Sequence, residues 1–302
     1  MLDLSLNLNI NLNRPAPYLC NQIIRMLTPE AKTSRKKKIF RWIKVFLLLY
    51  AIIGIALYYL QDYVLFQPVA IAKNHKYDFS NPHREINIPY NNETNINIIQ
   101  FTAKDSVAKG VVLYFHGNRK NIGWYAKYAS NFTMNNYEVW MIDYPGFGKS
   151  TGKFSEQRLY DYALQLYKLA RAKYDASRII IYGKSMGTGI AAQLASIRDS
   201  KYLVLETPYY SMTSLISHYF PIYPIGKIIH YHLPTNEYLQ KVTAPVVILQ
   251  GTDDGIVPFS NAEQLKSVLK NNDEFVVIEN GSHNNLNDFT LFHQKLDSLL
   301  SH

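Results

Sequence analysis

Three side chains in this sequence have the types and the order needed to attack a carbonyl. Ser185 lies in Gly183-Lys184-Ser185-Met186-Gly187, a Gly-x-Ser-x-Gly pattern. The strand-forming run Ile179-Ile180-Ile181-Tyr182 leads into it, and a small-residue helical pattern at 187–197 leads out. Strand, tight turn and helix form the context that lifts a serine hydroxyl above a sheet, with glycines on either side because a Cβ there would strike its neighbours. Asp254 lies in Gly251-Thr252-Asp253-Asp254-Gly255-Ile256-Val257-Pro258, after the apolar run 246–249. An acid past such a strand is placed to orient a histidine. Asp253 is adjacent, and the spacing Gly-x-x-Asp-x-x-Val-Pro selects Asp254. His283 lies in the polar loop Glu279-Asn280-Gly281-Ser282-His283-Asn284-Asn285, after the apolar run 275–278. The order Ser, Asp, His is one of the orders in which such a triad occurs. In that chemistry His283 takes the Ser185 proton and Asp254 fixes the imidazole tautomer. The backbone N–H groups of Met186, at the helix start, and Asn118, in His116-Gly117-Asn118, hold the developing oxyanion.

These residues need a scaffold that brings strand ends to one edge. Near-continuous apolar runs at 111–115, 137–142, 179–182 and 246–249 suit parallel strands covered on both faces. Alternating runs at 85–88 and 96–99 suit half-buried antiparallel strands. Helical patterns fall near 121–135, 155–174, 187–197 and 286–300. The expectation is a doubly wound α/β sheet with its ligand site at the strand ends. The segment 207–240 is too apolar for a solvated loop. It reads as a short cap forming an apolar acyl pocket, with helix packing against a membrane-facing surface as the alternative.

The chain has 302 residues, 47% of them hydrophobic, enough for one large domain with additions. Its single cysteine, Cys20, excludes an internal disulfide and a cysteine metal cluster. The net charge is +9, but nine bases and two acids fall in the first 44 residues, so +7 lies there and +2 remains for the rest. The basic cluster abuts an apolar run, so a nucleic-acid partner is not called for. Residues 45–60 carry no charge and no strongly polar side chain. With Trp42 and Ile43 before them and Tyr58, Tyr59 and Tyr63 at the far end, they read as a single-pass signal anchor. Bases precede the span, which predicts a cytoplasmic N-terminus and a catalytic domain on the opposite side. The rivals are a signal peptide cleaved at Gly54-Ile55-Ala56 and a buried core helix. A lipoprotein is excluded, because no cysteine follows the span. The organisation expected is a poorly ordered basic tail (1–34), the anchor (35–62), a juxtamembrane linker (63–83) and a catalytic domain (84–302) with its cap. Met26 is an alternative start. No metal-binding or phosphate-cradling pattern appears, so no cofactor is expected; Gly146-Phe147-Gly148 lacks the third glycine of a dinucleotide fingerprint.

On the motifs Tyr114-Phe115-His116-Gly117-Asn118, Asp143-Tyr144-Pro145-Gly146-Phe147-Gly148-Lys149-Ser150, Tyr182 to Gly189, Gly251 to Pro258 and Gly281-Ser282-His283-Asn284, the chain resembles the α/β-hydrolase superfamily. Within it, the resemblance is to membrane-anchored α/β-hydrolase-domain proteins related to serine aminopeptidase-type hydrolases. It covers residues from about 84 to 300 and implies a mostly parallel sheet flanked by helices, with a Ser-His-Asp triad. It also implies a hydrolase by analogy, of a family that includes esterases, thioesterases and peptidases. The reading is an esterase or thioesterase acting on an apolar, lipid-like acyl substrate at a bilayer. A serine peptidase and a non-catalytic scaffold are the alternatives.

Overall fold

The computed structural model describes residues 35–91 and 93–301. The expected tail, Cys20 and the Met26 start lie outside the described residues. The chain divides into two compact units, residues 1–53 and 54–302. In the first unit the described residues are all helical, part of helix α1 (Arg35–Tyr59). None of the 25 residues of α1 is buried. At 1.5 Å per residue it spans about 37 Å, and it is the one described helix long and apolar enough to cross a membrane.

The second unit is built on an eight-stranded sheet. Its strands are β1 (His83–Pro89), β2 (Asn95–Phe101), β3 (Gly110–Phe115), β4 (Tyr137–Ile142), β5 (Ile179–Lys184), β6 (Tyr202–Glu206), β7 (Val246–Gly251) and β8 (Glu274–Ile278). Their spatial order is β1-β2-β4-β3-β5-β6-β7-β8. The alternating strands β1 and β2 pair antiparallel, with Ile88 opposite Ile96 and Ile86 opposite Ile98. β2 pairs antiparallel with β4, and every pairing from β4 to β8 is parallel. All six residues of each of β3, β5 and β7 are buried. That double-sided burial explains their unbroken apolar runs.

Helix α2 (Glu156–Arg171) starts where the Ser155 hydroxyl accepts the Arg158 N–H at 3.2 Å. It buries Leu159, Ala163, Leu166 and Ala170 at helical spacing. Helix α3 (Met186–Ile197) is short-chained because it is buried nearly all round. The pattern at 121–135 does not give one helix. It breaks into Ile122–Tyr125, a tight turn over Ala126–Tyr128, and Ser130–Thr133. Gly123, Ser130, Asn131 and Thr133 are poor helix formers, and the Asn121 side chain takes the Gly123 N–H to start the first piece. β6 is a strand beyond the apolar runs read from the sequence.

Residues 207–240 form α4 (Met212–Tyr219) and the short helices Ile225–Ile228 and Thr235–Leu239. Much of the apolar character points inward, through Tyr209, Ile225, Tyr231 and Leu233, while Tyr219 and Ile222 stay exposed. Residues 61–71 are bonded to the unit along their length. Buried Gln61 accepts the His230 N–H at 2.7 Å. Phe66 packs 4.4 Å from Phe154 and 4.6 Å from Tyr231, ring to ring. Gln67 and Pro68 pair in parallel with Arg119 and Lys120.

Candidate active site

Ser185 sits between β5 and α3 with φ 52° and ψ −121°, a conformation that a non-glycine residue adopts only when its surroundings impose it. The flanking glycines show what imposes it. A Cβ on Gly183 would lie 2.5 Å from the Gly187 carbonyl oxygen and 2.7 Å from the Thr188 Cα. A Cβ on Gly187 would lie 2.1 Å from the Phe115 carbonyl oxygen. Strand, helix and the end of β3 therefore close on one another only because both positions lack a side chain. The Ser185 N–H donates to the Glu206 carbonyl at 2.9 Å, which ties the turn to β6.

The structure brings Ser185, His283 and Asp254 together from the ends of β5, β8 and β7. His283 Nε2 lies 2.9 Å from Ser185 Oγ, and His283 Nδ1 lies 2.9 Å from Asp254 Oδ2. Asp254 is held from behind. Its Oδ1 accepts the N–H groups of Ile256 at 2.9 Å and Val257 at 2.7 Å, and Gln250 Nε2 reaches Oδ2 at 3.3 Å. With Nδ1–H donated to the carboxylate, Nε2 is free to accept the serine proton. Asp253 is exposed, and its backbone N–H is spent on the Gly281 carbonyl at 2.9 Å. Asp254, not Asp253, meets the histidine.

Of the two expected oxyanion donors, one follows Ser185 directly and the other is in a neighbouring loop. Met186 is the first residue of α3, where an N–H has no acceptor within the helix. The loop carrying Asn118 passes against the serine: a Cβ on Gly117 would be 3.5 Å from the Ser185 Cβ and 2.7 Å from Tyr125 Oη. Asn118 itself is gripped by the chain before the sheet. Its carbonyl accepts the Gln67 N–H at 3.1 Å, and its side-chain amide donates to the Leu65 carbonyl. His116 braces the same loop from inside. Its Nδ1–H donates to the Gly117 carbonyl at 2.7 Å, its Nε2 faces Asp143 at 3.2 Å, and its carbonyl accepts the Tyr144 hydroxyl at 2.8 Å.

Sequence reasoning missed a buried polar group beneath the serine. Lys184 and Glu206 stand opposite each other in the β5–β6 register and form an ion pair. The Tyr182 hydroxyl donates to the same carboxylate. Burial, followed by the Glu206 charge, holds Tyr182 well above its ordinary value of 10.0, so it stays a donor. The available signal was Lys184 itself, a charged residue within an otherwise buried strand end. Segment 207–240 reaches the site from two sides. The Tyr209 hydroxyl donates to the Met186 carbonyl at 3.1 Å, and the Tyr219 hydroxyl donates to the Ile256 carbonyl at 2.9 Å. Among the described residues no cluster of His, Cys, Asp or Glu is grouped to hold a metal ion.

Residues 106–235 match a family model described as serine aminopeptidase, S33. An uncharacterised protein of Mycobacterium tuberculosis (strain H37Rv) is 30% identical over 175 residues, covering 57% of this chain and 62% of that protein. The α/β hydrolase domain-containing protein 17C of Homo sapiens is 28% identical over 196 residues, covering 63% of this chain and 58% of that protein. The chain thus spans about three fifths of the length of these curated relatives. Among solved structures, an esterase of Pyrococcus furiosus superposes with a TM-score of 0.60 at 18% identity, covering 78% of this chain and 97% of that one. A fungal α/β hydrolase, GrgF of Penicillium, gives 0.60 at 11% identity, covering 73% of this chain and 99% of that one. The sheet is that of the α/β-hydrolase fold, and the family-model match and the relatives support an assignment to the α/β-hydrolase superfamily.

Proposed function

We propose that this chain is a membrane-anchored serine hydrolase that cleaves carboxylic ester or thioester bonds through an acyl-enzyme. The observation that carries the reading is the continuous path from Ser185 Oγ through His283 to Asp254, with 2.9 Å at each step. His283 Nε2 takes the serine proton as Oγ attacks the carbonyl carbon, and Asp254 stabilises the imidazolium. The N–H groups of Met186 and Asn118 stabilise the oxyanion. Collapse expels the alcohol or thiol, which receives the proton from His283. A water then gives up a proton to His283 and attacks the acyl-serine, and the acid leaves as His283 returns that proton to Ser185 Oγ. The similarity to a hydrolase-domain protein and to an esterase supports the hydrolase class.

In this reading residues 207–240 are a cap, and their inward-pointing apolar side chains favour an apolar acyl group. Helix α1, with bases at its start and tyrosines at its end, is a single-pass anchor with its N-terminus cytoplasmic. A peptidase reading takes support from the family description. An aminopeptidase would need a free carboxylate for the substrate amine. Glu206 is already committed to Lys184 and Tyr182, and Glu237 is exposed, which weighs against it.

The test compares fluorophosphonate labelling of the full chain with that of Ser185→Ala in membranes, followed by a panel of acyl esters, acyl thioesters and peptides. Labelling confined to the wild type, with turnover of esters or thioesters, is the expected result. A folded wild type that never labels sinks the reading. Alkaline carbonate extraction tests the anchor, and protease accessibility in sealed vesicles tests its orientation.

A further inference from the structure

Lys184 is the residue before the nucleophile, and it is buried to 2% exposure. Its ammonium is surrounded by three groups: the Glu206 carboxylate, the face of Tyr128 at 5.7 Å, and the backbone carbonyl of His283 at 3.3 Å. The last contact crosses 99 positions of sequence and ends on the residue whose ring serves Ser185. Glu206 completes the connection, because its own carbonyl accepts the Ser185 N–H. One residue pair therefore touches both backbones: the Lys184 side chain that of His283, and the Glu206 main chain that of Ser185.

Stability alone does not account for it. Desolvating two charges offsets most of their attraction, and apolar replacements of buried ion pairs are often neutral or stabilising. What an apolar pair would lack is a donor aimed at the His283 carbonyl. His283 sits in a loop whose neighbour Ser282 is fixed by Asn285 Oδ1 at 2.6 Å, whereas its own carbonyl is held by Lys184.

We infer that Lys184 is a positioning residue: its ammonium, oriented by Glu206, clamps the His283 carbonyl and thereby sets the distance from His283 Nε2 to Ser185 Oγ. The inference rests on the hydrolase reading of the site. It is tested in the full chain with the charge-neutral double variant Lys184→Met/Glu206→Gln, in which the new amide still accepts the Tyr182 hydroxyl. Three quantities are measured: thermal midpoint, fluorophosphonate labelling rate, and hydrogen exchange of the peptide covering residues 279–286. The expected result is a thermal midpoint close to the wild type, labelling slowed on the order of 10- to 100-fold, and faster exchange confined to that peptide. Labelling at the wild-type rate overturns the inference. Should the wild type itself never label, the hydrolase reading fails, and exchange decides the clamp alone: an unchanged peptide overturns it. If the first double variant does not fold, Lys184→Leu/Glu206→Gln replaces it. Failure of both to fold makes the pair a folding determinant and also overturns the inference.

Discussion

Replacing Asp254 with asparagine changes one atom, and the geometry says what that atom does. Two backbone donors, from Ile256 and Val257, converge on Oδ1 at 2.9 and 2.7 Å. The asparagine oxygen must occupy that side, so its NH2 faces His283 Nδ1, where Oδ2 now accepts at 2.9 Å. A donor there forces Nδ1 to accept, the imidazole proton moves to Nε2, and the ring presents N–H instead of a lone pair to Ser185. Recovering the productive tautomer requires flipping the amide, which leaves the Ile256 and Val257 N–H groups facing a donor. At about 1–3 kcal/mol for each lost acceptor, the flip costs roughly 2–6 kcal/mol, or a rate loss between about 30-fold and about 3 × 10⁴-fold. The loss of about 10⁴-fold known for the same change in a serine protease falls inside that range. The assay is the second-order rate of fluorophosphonate labelling, with the thermal midpoint as a check on folding. Labelling within threefold of wild type at an unchanged midpoint would refute the assignment of Asp254 as the group that fixes the tautomer.

Gly187→Ala places a Cβ 2.1 Å from the Phe115 carbonyl oxygen. It is expected to lower the thermal midpoint and to cut labelling by about 100-fold through displacement of the elbow; normal labelling would show that the elbow can shift freely. Burial raises the Glu85 carboxyl, but bonds from Lys149, Asn87 and Asn97 outweigh it and hold the group below its ordinary 4.5. An acid with a depressed folded value stabilises above its unfolded value and loses that contribution as pH falls through the folded one. The deficit in thermal midpoint of Glu85→Gln should therefore be full at neutral pH and shrink as pH falls below 4.5, and a deficit independent of pH would contradict the assignment. Leu48→Arg with Ile52→Arg puts two charges on one face of α1, at roughly 6 kcal/mol against insertion. The protein should become extractable by alkaline carbonate, and retention in the pellet would count against the anchor.

The sheet was legible because its strands are buried on both faces, which writes unbroken apolar runs into 111–115, 179–182 and 246–249. The positions of Ser185, Asp254 and His283 were legible because each follows such a run in a glycine-containing loop. What escaped depends on register. Lys184 and Glu206 are 22 residues apart and meet only because β5 and β6 pair with those two positions opposed. β6 itself is five residues long, too short for periodicity to separate it from a loop edge. The stretch 121–135 carries apolar residues at helical spacing, but its glycine and its serine and asparagine side chains favour turns, and local chemistry prevailed over pattern.

The bonds between residues 61–71 and the rest of the second unit bear on where the folded unit begins. The strand-like pairing of Gln67 and Pro68 with Arg119 and Lys120, and the grip of Leu65 and Gln67 on Asn118, mean that the peptide leaving α1 is stitched to the loop expected to cradle the oxyanion. A soluble fragment starting at residue 61 would keep that stitching. One starting at residue 83, where the sheet starts, would leave the Asn118 loop with an unpaired edge and Phe154 without its partner Phe66. The exit from the apolar helix is thus a splint for the candidate site, and trimming it would loosen the Asn118 loop that it holds.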